Sequence, residues 1–292
     1  MRVGTDPSGQ NAAYFGIRGE AGAFAFTGRS GIIHPMTIQI AQVKVVPERG
    51  NPEANHALLM DVLGELAPRQ PDVVVTPEGF LDGYVSTDPS VTRETIGKYA
   101  VDPQRSPYAH AAADWAGEHR AWLIYGCTRT DGAHCFNSAL IFDRRGAAAG
   151  WYDKVHLQLH NLKYSAGAAL PVFPSDFGPF GVMICADRRW PETVRTLALK
   201  GARVIFNPTY GMADDLNLAM MRTRSYESEV FIAFTHPKQA LVTGPGGVVL
   251  CDNRNADERF AVTEIDPALA DEARENSEVR HLRDRHPEVY TM

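Results

Sequence analysis

Three residues of complementary chemistry stand at the same kind of place in this 292-residue sequence. Glu78 follows the apolar run "PDVVVTP", Lys154 follows "AAAGWYD", and Cys185 closes "GVMIC" before the chain turns charged through "ADRRWPE". A thiol must lose its proton to act as a nucleophile, and a carboxylate can accept that proton. An ammonium both favours the thiolate and holds the negative charge that develops on a carbonyl oxygen. Taken singly, each residue has a plain alternative: a loop carboxylate, a strand-end charge, a small buried side chain. Their shared position matters because strand ends in layered α/β folds line one pocket, where distant residues meet.

The elements that must position them alternate from Met36 onward. "TIQIAQVKV" reads as a strand, and "NPEANHALLMDVLGELA", with Pro52 near its start and apolar spacing of three and four, as a helix. Pro77 must end the run before Glu78, because proline removes a ladder donor. A helix is expected around "SPYAHAAADWAGEHR", then strands at "AWLIYGC" and "CFNSALIFD", the turn "RRG", and the segment carrying Lys154. After the cysteine, "PETVRTLALKGA" has Pro191 at a helix start and Gly201 past its end. "RVIFNP" is a strand, "DDLNLAMMRTRSYESE" a helix and "VFIAFTH" a strand, while "GPGGVVLCD" and "RFAVTEID" read as a closing hairpin. This order predicts one α/β domain, with helices covering sheet faces, over 36–292.

Residues 1–35 differ. Seven glycines (Gly4, Gly9, Gly16, Gly19, Gly22, Gly28 and Gly31) are spread through a segment with little periodicity, which is expected to be a poorly ordered extension.

At 44% hydrophobic and 22% charged the chain has enough apolar residues for a sizeable core. The net charge of −6 and the lack of a basic block argue against nucleic acid as a partner. No apolar run approaches the roughly 18 to 20 residues that span a bilayer, and no continuous leader-type apolar stretch stands near the start. No membrane partner and a cytoplasmic location are therefore expected. The cysteines (Cys127, Cys135, Cys185 and Cys251) include no CxxC pair and have no histidines at metal-ligand spacing, so neither a disulfide scaffold nor a metal site is expected.

"TPEGFLDGY", "YDKVHL" and "VMICADRRWPE", in this order, resemble the three signature blocks of the nitrilase, or carbon-nitrogen hydrolase, superfamily. The likeness runs from about Met36 to the C-terminus through "IAQVKV", "FNSALIFDRRG", "RTRSYESEVFIAF" and "DRHPEVY". The resemblance implies an αββα sandwich that pairs into homodimers or higher homo-oligomers, and a Glu-Lys-Cys triad needing no cofactor. It makes Cys185 the nucleophile, Glu78 the general base and Lys154 the group holding the tetrahedral intermediate, with the Ala186 N–H as a second oxyanion donor. The implied reaction is hydrolysis of a small linear amide, N-carbamoyl compound or nitrile through a thioester. Acyl transfer by the same triad, or a weakly active relative that binds a ligand, stays open.

"DRRWPE" is most similar to the block of the N-carbamoyl-D-amino-acid amidohydrolases, in which arginine grips the substrate carboxylate; Arg188 or Arg189 would serve, unless they simply pair with nearby acids. Two departures stand against that likeness. Ala186 occupies the place of that family's usual asparagine. Many members of the superfamily also carry a further glutamate seven residues before a glycine, whereas counting back from Gly167 lands on His160, and no acidic residue lies between Lys154 and Asp176. An imidazole still accepts a hydrogen bond, but protonated it would repel Lys154. His156 is expected to support the lysine segment by packing, Asp187 to serve the scaffold, Asn207 and Thr209 to line the pocket or cap a turn, and Arg224 and Glu227 to form a structural pair one helical turn apart.

Overall fold

Alternation within the strands decides the architecture. The computed structural model describes residues 36–290, so the expected extension over 1–35 lies outside the described residues. In β1 (Ile38–Val43) Ile38 and Ile40 enter one apolar cluster while Ala41 and Val43 enter another. β2 (Val73–Val75) and β3 (Trp122–Thr130) do the same: Val73, Val75, Trp122 and Ile124 face one way, Val74, Leu123 and Tyr125 the other. Strands buried on both faces belong inside a layered structure.

Two six-stranded sheets form the centre. The first runs β12-β1-β2-β3-β4-β5, with β4 at Cys135–Phe142, β5 at Ala148–Asp153 and β12 at Phe260–Ile265. The second runs β11-β10-β9-β8-β7-β6. Its strands are β6 (Val172–Phe173), β7 (Phe180–Val182), β8 (Val204–Pro208), β9 (Phe231–His236), β10 (Gln239–Gly244) and β11 (Val248–Asn253). In each sheet three neighbouring strands are parallel (β1, β2, β3 and β7, β8, β9), and antiparallel strands flank them.

The inner faces meet through Ile40, Val75, Ile124 and Ile141 from one sheet and Phe180, Val182, Phe206 and Ala233 from the other. Outside the first sheet lie α1 (Pro52–Leu66), through Leu59, Val62, Leu63 and Leu66, and α2 (Pro107–His119), through Ala109, Ala112, Trp115 and Ala116. Outside the second lie α3 (Pro191–Leu199), through Val194 and Leu197, and α4 (Asp215–Ser228), through Met221. Full burial of such a side chain contributes about 1.5–3 kcal/mol, so these stripes fix which helix face looks inward. The result is the expected α/β sandwich in the order α, β, β, α. No helix among the described residues is long and apolar enough to cross a membrane.

Helix ends follow the sequence signals. Asn51, Ser106 and Asp214 cap α1, α2 and α4 with side-chain oxygens, and proline opens α1, α2 and α3. One expectation is overturned. "GVVLCD" and "RFAVTEID" do not pair as a hairpin: β11 joins β10 in the second sheet, while β12 crosses to lie antiparallel to β1 in the first, with Phe260 opposite Val43. Each of those segments therefore closes a different edge. The strand β10 and the helix α5 (Ala268–Asn276) carried no sequence expectation.

Candidate active site

The loop after β2 is shaped to turn one carboxylate inward. Pro77 stops the strand, and Gly79 and Gly83 take left-handed backbone angles (φ 56° and 68°), as does Tyr84 (φ 57°). Both oxygens of Asp82 accept backbone N–H groups, from Val85 at 3.0 Å and Thr128 at 2.7 Å, and Leu81 donates to the Gly126 carbonyl. Gly126 is demanded by this packing, since a Cβ there would stand 2.2 Å from the Pro77 carbonyl oxygen. Glu78, fully buried, then accepts from Lys154 Nζ (2.7 Å) and Asn137 Nδ2 (2.8 Å) on Oε1, and from the Tyr210 backbone N–H (3.1 Å) on Oε2. Tyr210 follows β8, so this contact joins the two sheets at their strand ends.

Lys154 leaves the end of β5. Its N–H donates to the Asn137 carbonyl and its carbonyl accepts from Gly167, where any Cβ would meet the Asp153 carbonyl oxygen at 2.1 Å. The fully buried ammonium donates to Glu78 and, at 2.7 Å, to Asn161 Oδ1. An ammonium only donates, so the Asn161 oxygen must face it and the amide nitrogen must face Ser86 Oγ (3.0 Å) and the Tyr84 hydroxyl (3.4 Å).

Cys185 stands at the sharp turn after β7, with a left-handed backbone (φ 48°), 6% exposed. Asp187 ties that turn to the lysine strand. Its Oδ2 accepts from the Ile184 N–H (2.9 Å) and the Tyr152 hydroxyl (2.7 Å); its Oδ1 accepts from the His156 N–H (2.9 Å) and contacts the His156 ring at 2.8 Å. Tyr152 and His156 lie two residues before and two after Lys154, so one buried carboxylate holds nucleophile and ammonium in register. His156 also stacks on Trp190, ring centroids 4.2 Å apart.

The electrostatics couple all three groups. Burial, then the Glu78 charge, push the Cys185 thiol above its ordinary range, while Lys154 and Arg188 work against them. Burial acts to lower the Lys154 pKa, but the charges of Glu78 and Cys185 and the bond to Glu78 outweigh it and hold the ammonium above its usual value. Taking such a charged pair out of water costs several kcal/mol per ion, which only close pairing and further hydrogen bonds offset. Asn137, Asn161 and Tyr210 supply those bonds here.

The other sequence-derived residues divide. The Ala186 N–H has no acceptor among the described residues. Asn207 donates to the Met183 carbonyl two residues before the cysteine, and its Oδ1 has no partner among the described residues. Thr209 donates its hydroxyl to the Asn207 carbonyl, and Arg224 pairs with Glu227 at 2.8 Å while also reaching the Arg188 and Arg189 carbonyls.

Two expectations need correction. Arg188 does not face a substrate carboxylate: 1% exposed, its guanidinium is taken up by Asn217 Oδ1 and the carbonyls of Cys185, Gly211 and Met212. Arg189 is exposed, forms no ion pair among the described residues and touches the Met212 sulfur at 3.4 Å. His160 is not the second partner of Lys154; its neighbour Asn161 is. The short turn Leu159–Asn161 aims Asn161 inward and leaves His160 bonding the Tyr84 hydroxyl at 2.8 Å. Asn137, Asn161, Tyr210 and Tyr84 were not singled out from sequence. A polar residue inside the apolar run of β4 was the one available signal, at Asn137.

Comparison with known proteins bears on the family and the fold. The carbon-nitrogen hydrolase family model matches residues 37–275. A nitrilase of Pyrococcus abyssi is 29% identical over 271 residues, 87% of this chain and 99% of that protein. Among solved structures, Saccharomyces cerevisiae Nit3, a member of branch 10 of the nitrilase superfamily, superposes with a TM-score of 0.72 at 21% identity, covering 85% of this chain and 97% of that one. An amidase from Nesterenkonia sp. does so with a TM-score of 0.70 at 20% identity, covering 86% and 94%.

Proposed function

The chain belongs to the carbon-nitrogen hydrolase family and is a carbon–nitrogen hydrolase, and from that premise we propose that it is a thiol amidohydrolase acting on small linear amides or N-carbamoyl compounds that bear a carboxylate. The observation that carries the reading is the buried Glu78–Lys154 pair, 2.7 Å apart, whose charges both act on the Cys185 thiol.

In this reading Glu78 takes the thiol proton as Cys185 Sγ attacks the carbonyl carbon. The oxyanion is held by an N–H of Lys154 and by the N–H of Ala186, which has no acceptor among the described residues; one such donor is typically worth about 3–4 kcal/mol. The carbon–nitrogen bond breaks as Glu78 returns the proton to the leaving nitrogen, releasing ammonia or an amine and leaving an acyl thioester on Cys185. Water, giving its proton to Glu78, attacks the thioester; the acid leaves and the thiol is restored.

Arg189 supports the carboxylate preference. It is a solvent-facing guanidinium without an acidic partner among the described residues, against the loop that carries Tyr210. Asn161 supports an active rather than a degraded site, because Lys154 keeps two acceptors despite His160. We further propose a homodimer or larger homo-oligomer, checked by light scattering on the purified chain.

The test is ammonia release from a panel of N-carbamoyl amino acids, ω-amides and nitriles, with Cys185→Ala as control. Turnover of carboxylate-bearing amides, abolished in the control, supports the reading. No release from any amide, with no acyl adduct on Cys185 by mass spectrometry, would remove it.

A further inference from the structure

We infer that Arg188 is the counter-cation of the Cys185 thiolate, a positioning residue that acts on the nucleophile and not on substrate. The inference rests on the thiol-hydrolase reading and assigns its nucleophile a partner that the Glu-Lys-Cys triad does not include.

The first argument is charge. The Lys154 ammonium is matched by Glu78 at 2.7 Å, so that pair offers the thiol little net positive charge. Arg188 has no such match among the described residues. It is 1% exposed, yet every bond it makes is to a neutral acceptor: Asn217 Oδ1 at 2.7 Å, and the carbonyls of Cys185 at 2.5 Å, Gly211 at 3.0 Å and Met212 at 2.8 Å. A guanidinium keeps its proton in any protein environment, and a buried cation lacking an anion is strongly disfavoured. Such a group is retained at lower cost where an anion forms beside it.

The second argument is place. Nη1 donates to the carbonyl of Cys185 itself, so the cation is tied to the residue that must become an anion. Of its five N–H groups four have acceptors, and the remaining one, also on Nη1, has none among the described residues. The guanidinium lies over the Phe234 ring at 5.2 Å, which holds its plane without neutralising it.

The neighbouring charges leave this role to Arg188. Glu78, Lys154 and Arg188 act on the thiol, and the thiol acts in turn on the Tyr84 phenol. Asp187, the other buried acid of the turn, spends its oxygens on Ile184, Tyr152 and His156. His236 on β9 feels the Arg188 charge and, being buried, resists protonation.

The experiment reads the resting enzyme: the rate of iodoacetamide alkylation at Cys185 against pH, followed by peptide mass spectrometry. Asn217→Asp places a carboxylate against Nε without removing a bond, because Asn217 Nδ2 has no partner among the described residues. It is expected to move the alkylation midpoint up by about one unit, lowering the rate near neutral pH about tenfold. Arg188→Gln should shift it the same way, and Arg188→Lys, which keeps the charge, should stay near wild type. A folded Asn217→Asp variant with an unshifted midpoint, or Arg188→Lys shifting as far as Arg188→Gln, overturns the inference. Failure of the substrate reading would appear in ammonia release instead, which this measurement does not use.

Discussion

The side-chain oxygen of Asn161 lies 2.7 Å from the Lys154 ammonium, while the preceding histidine turns to Tyr84. A buried hydrogen bond to a charged group contributes about 1.5–3 kcal/mol, and its removal leaves a donor without an acceptor. Asn161→Ala is therefore expected to lower kcat/KM between about tenfold and a hundredfold. His160→Ala removes only a bond to the Tyr84 hydroxyl and should cost less than about threefold by the same reasoning. Steady-state ammonia release on both variants checks the order. A larger loss for His160→Ala would mean that the histidine, not the amide, serves the lysine.

What could be read from residues alone follows the range of the forces involved. Proline signals act within a few residues, so Pro52 and Pro191 marked helix starts where the structure has them. Apolar runs likewise revealed β1, β2 and β9. The partition of β11 and β12 between two sheets was not readable, because it depends on Phe260 pairing with Val43 more than two hundred positions away. Arg188 and Arg189 are chemically identical, and their consecutive places on the short turn Cys185–Arg189 send one into the core and the other to solvent. The same holds for His160 and Asn161, where one tight turn shifts a spacing rule by a single residue.

Asp187 should matter to stability more than to chemistry. It is fully buried and serves the Ile184 N–H, the Tyr152 hydroxyl and His156. Asp187→Ala strands several buried donors at roughly 1–3 kcal/mol each, so a loss of about 3 kcal/mol or more in unfolding free energy is expected. Urea denaturation measures it. Tyr152→Phe, which drops one of those bonds to a carboxylate, should lose about 1.5–2 kcal/mol on the same scale. Near-equal values for the two variants would contradict the strap between the cysteine turn and the lysine strand.

Arg189 should act on substrate binding alone. Replacing it with alanine touches no ion pair among the described residues, so folding is expected to be unchanged. If its guanidinium receives a carboxylate, KM for acidic amides should rise by about tenfold or more, in line with roughly 1.5–3 kcal/mol for a charge-assisted bond, with kcat little altered. Neutral amides of the same length should show no change in KM. Equal effects on acidic and neutral substrates would remove Arg189 from the binding role.

The pH dependence of stability carries two opposed contributions from groups beside the site. His236 donates its Nε2–H to the carbonyl of Tyr210 (2.8 Å), the residue whose N–H holds Glu78, and burial lowers its pKa from 6.5 to about 4. The unfolded chain then binds the proton first, so the stability that His236 contributes is full above pH 6.5 and is lost as pH falls towards 4. Asp82 works the other way. Burial, opposed by bonds from Val85 and Thr128, raises it from 3.8 to about 6, so its contribution is full below pH 3.8 and is lost as pH rises through 6. Each amounts to about 3 kcal/mol at its extreme, so in the wild type the two largely cancel between pH 4 and 6. Relative to wild type, His236→Gln should gain stability as pH falls through that window, and Asp82→Asn should lose it. Urea midpoints at pH 4, 5, 6 and 7 measure both slopes, and parallel curves for the two variants and wild type would refute the assignment.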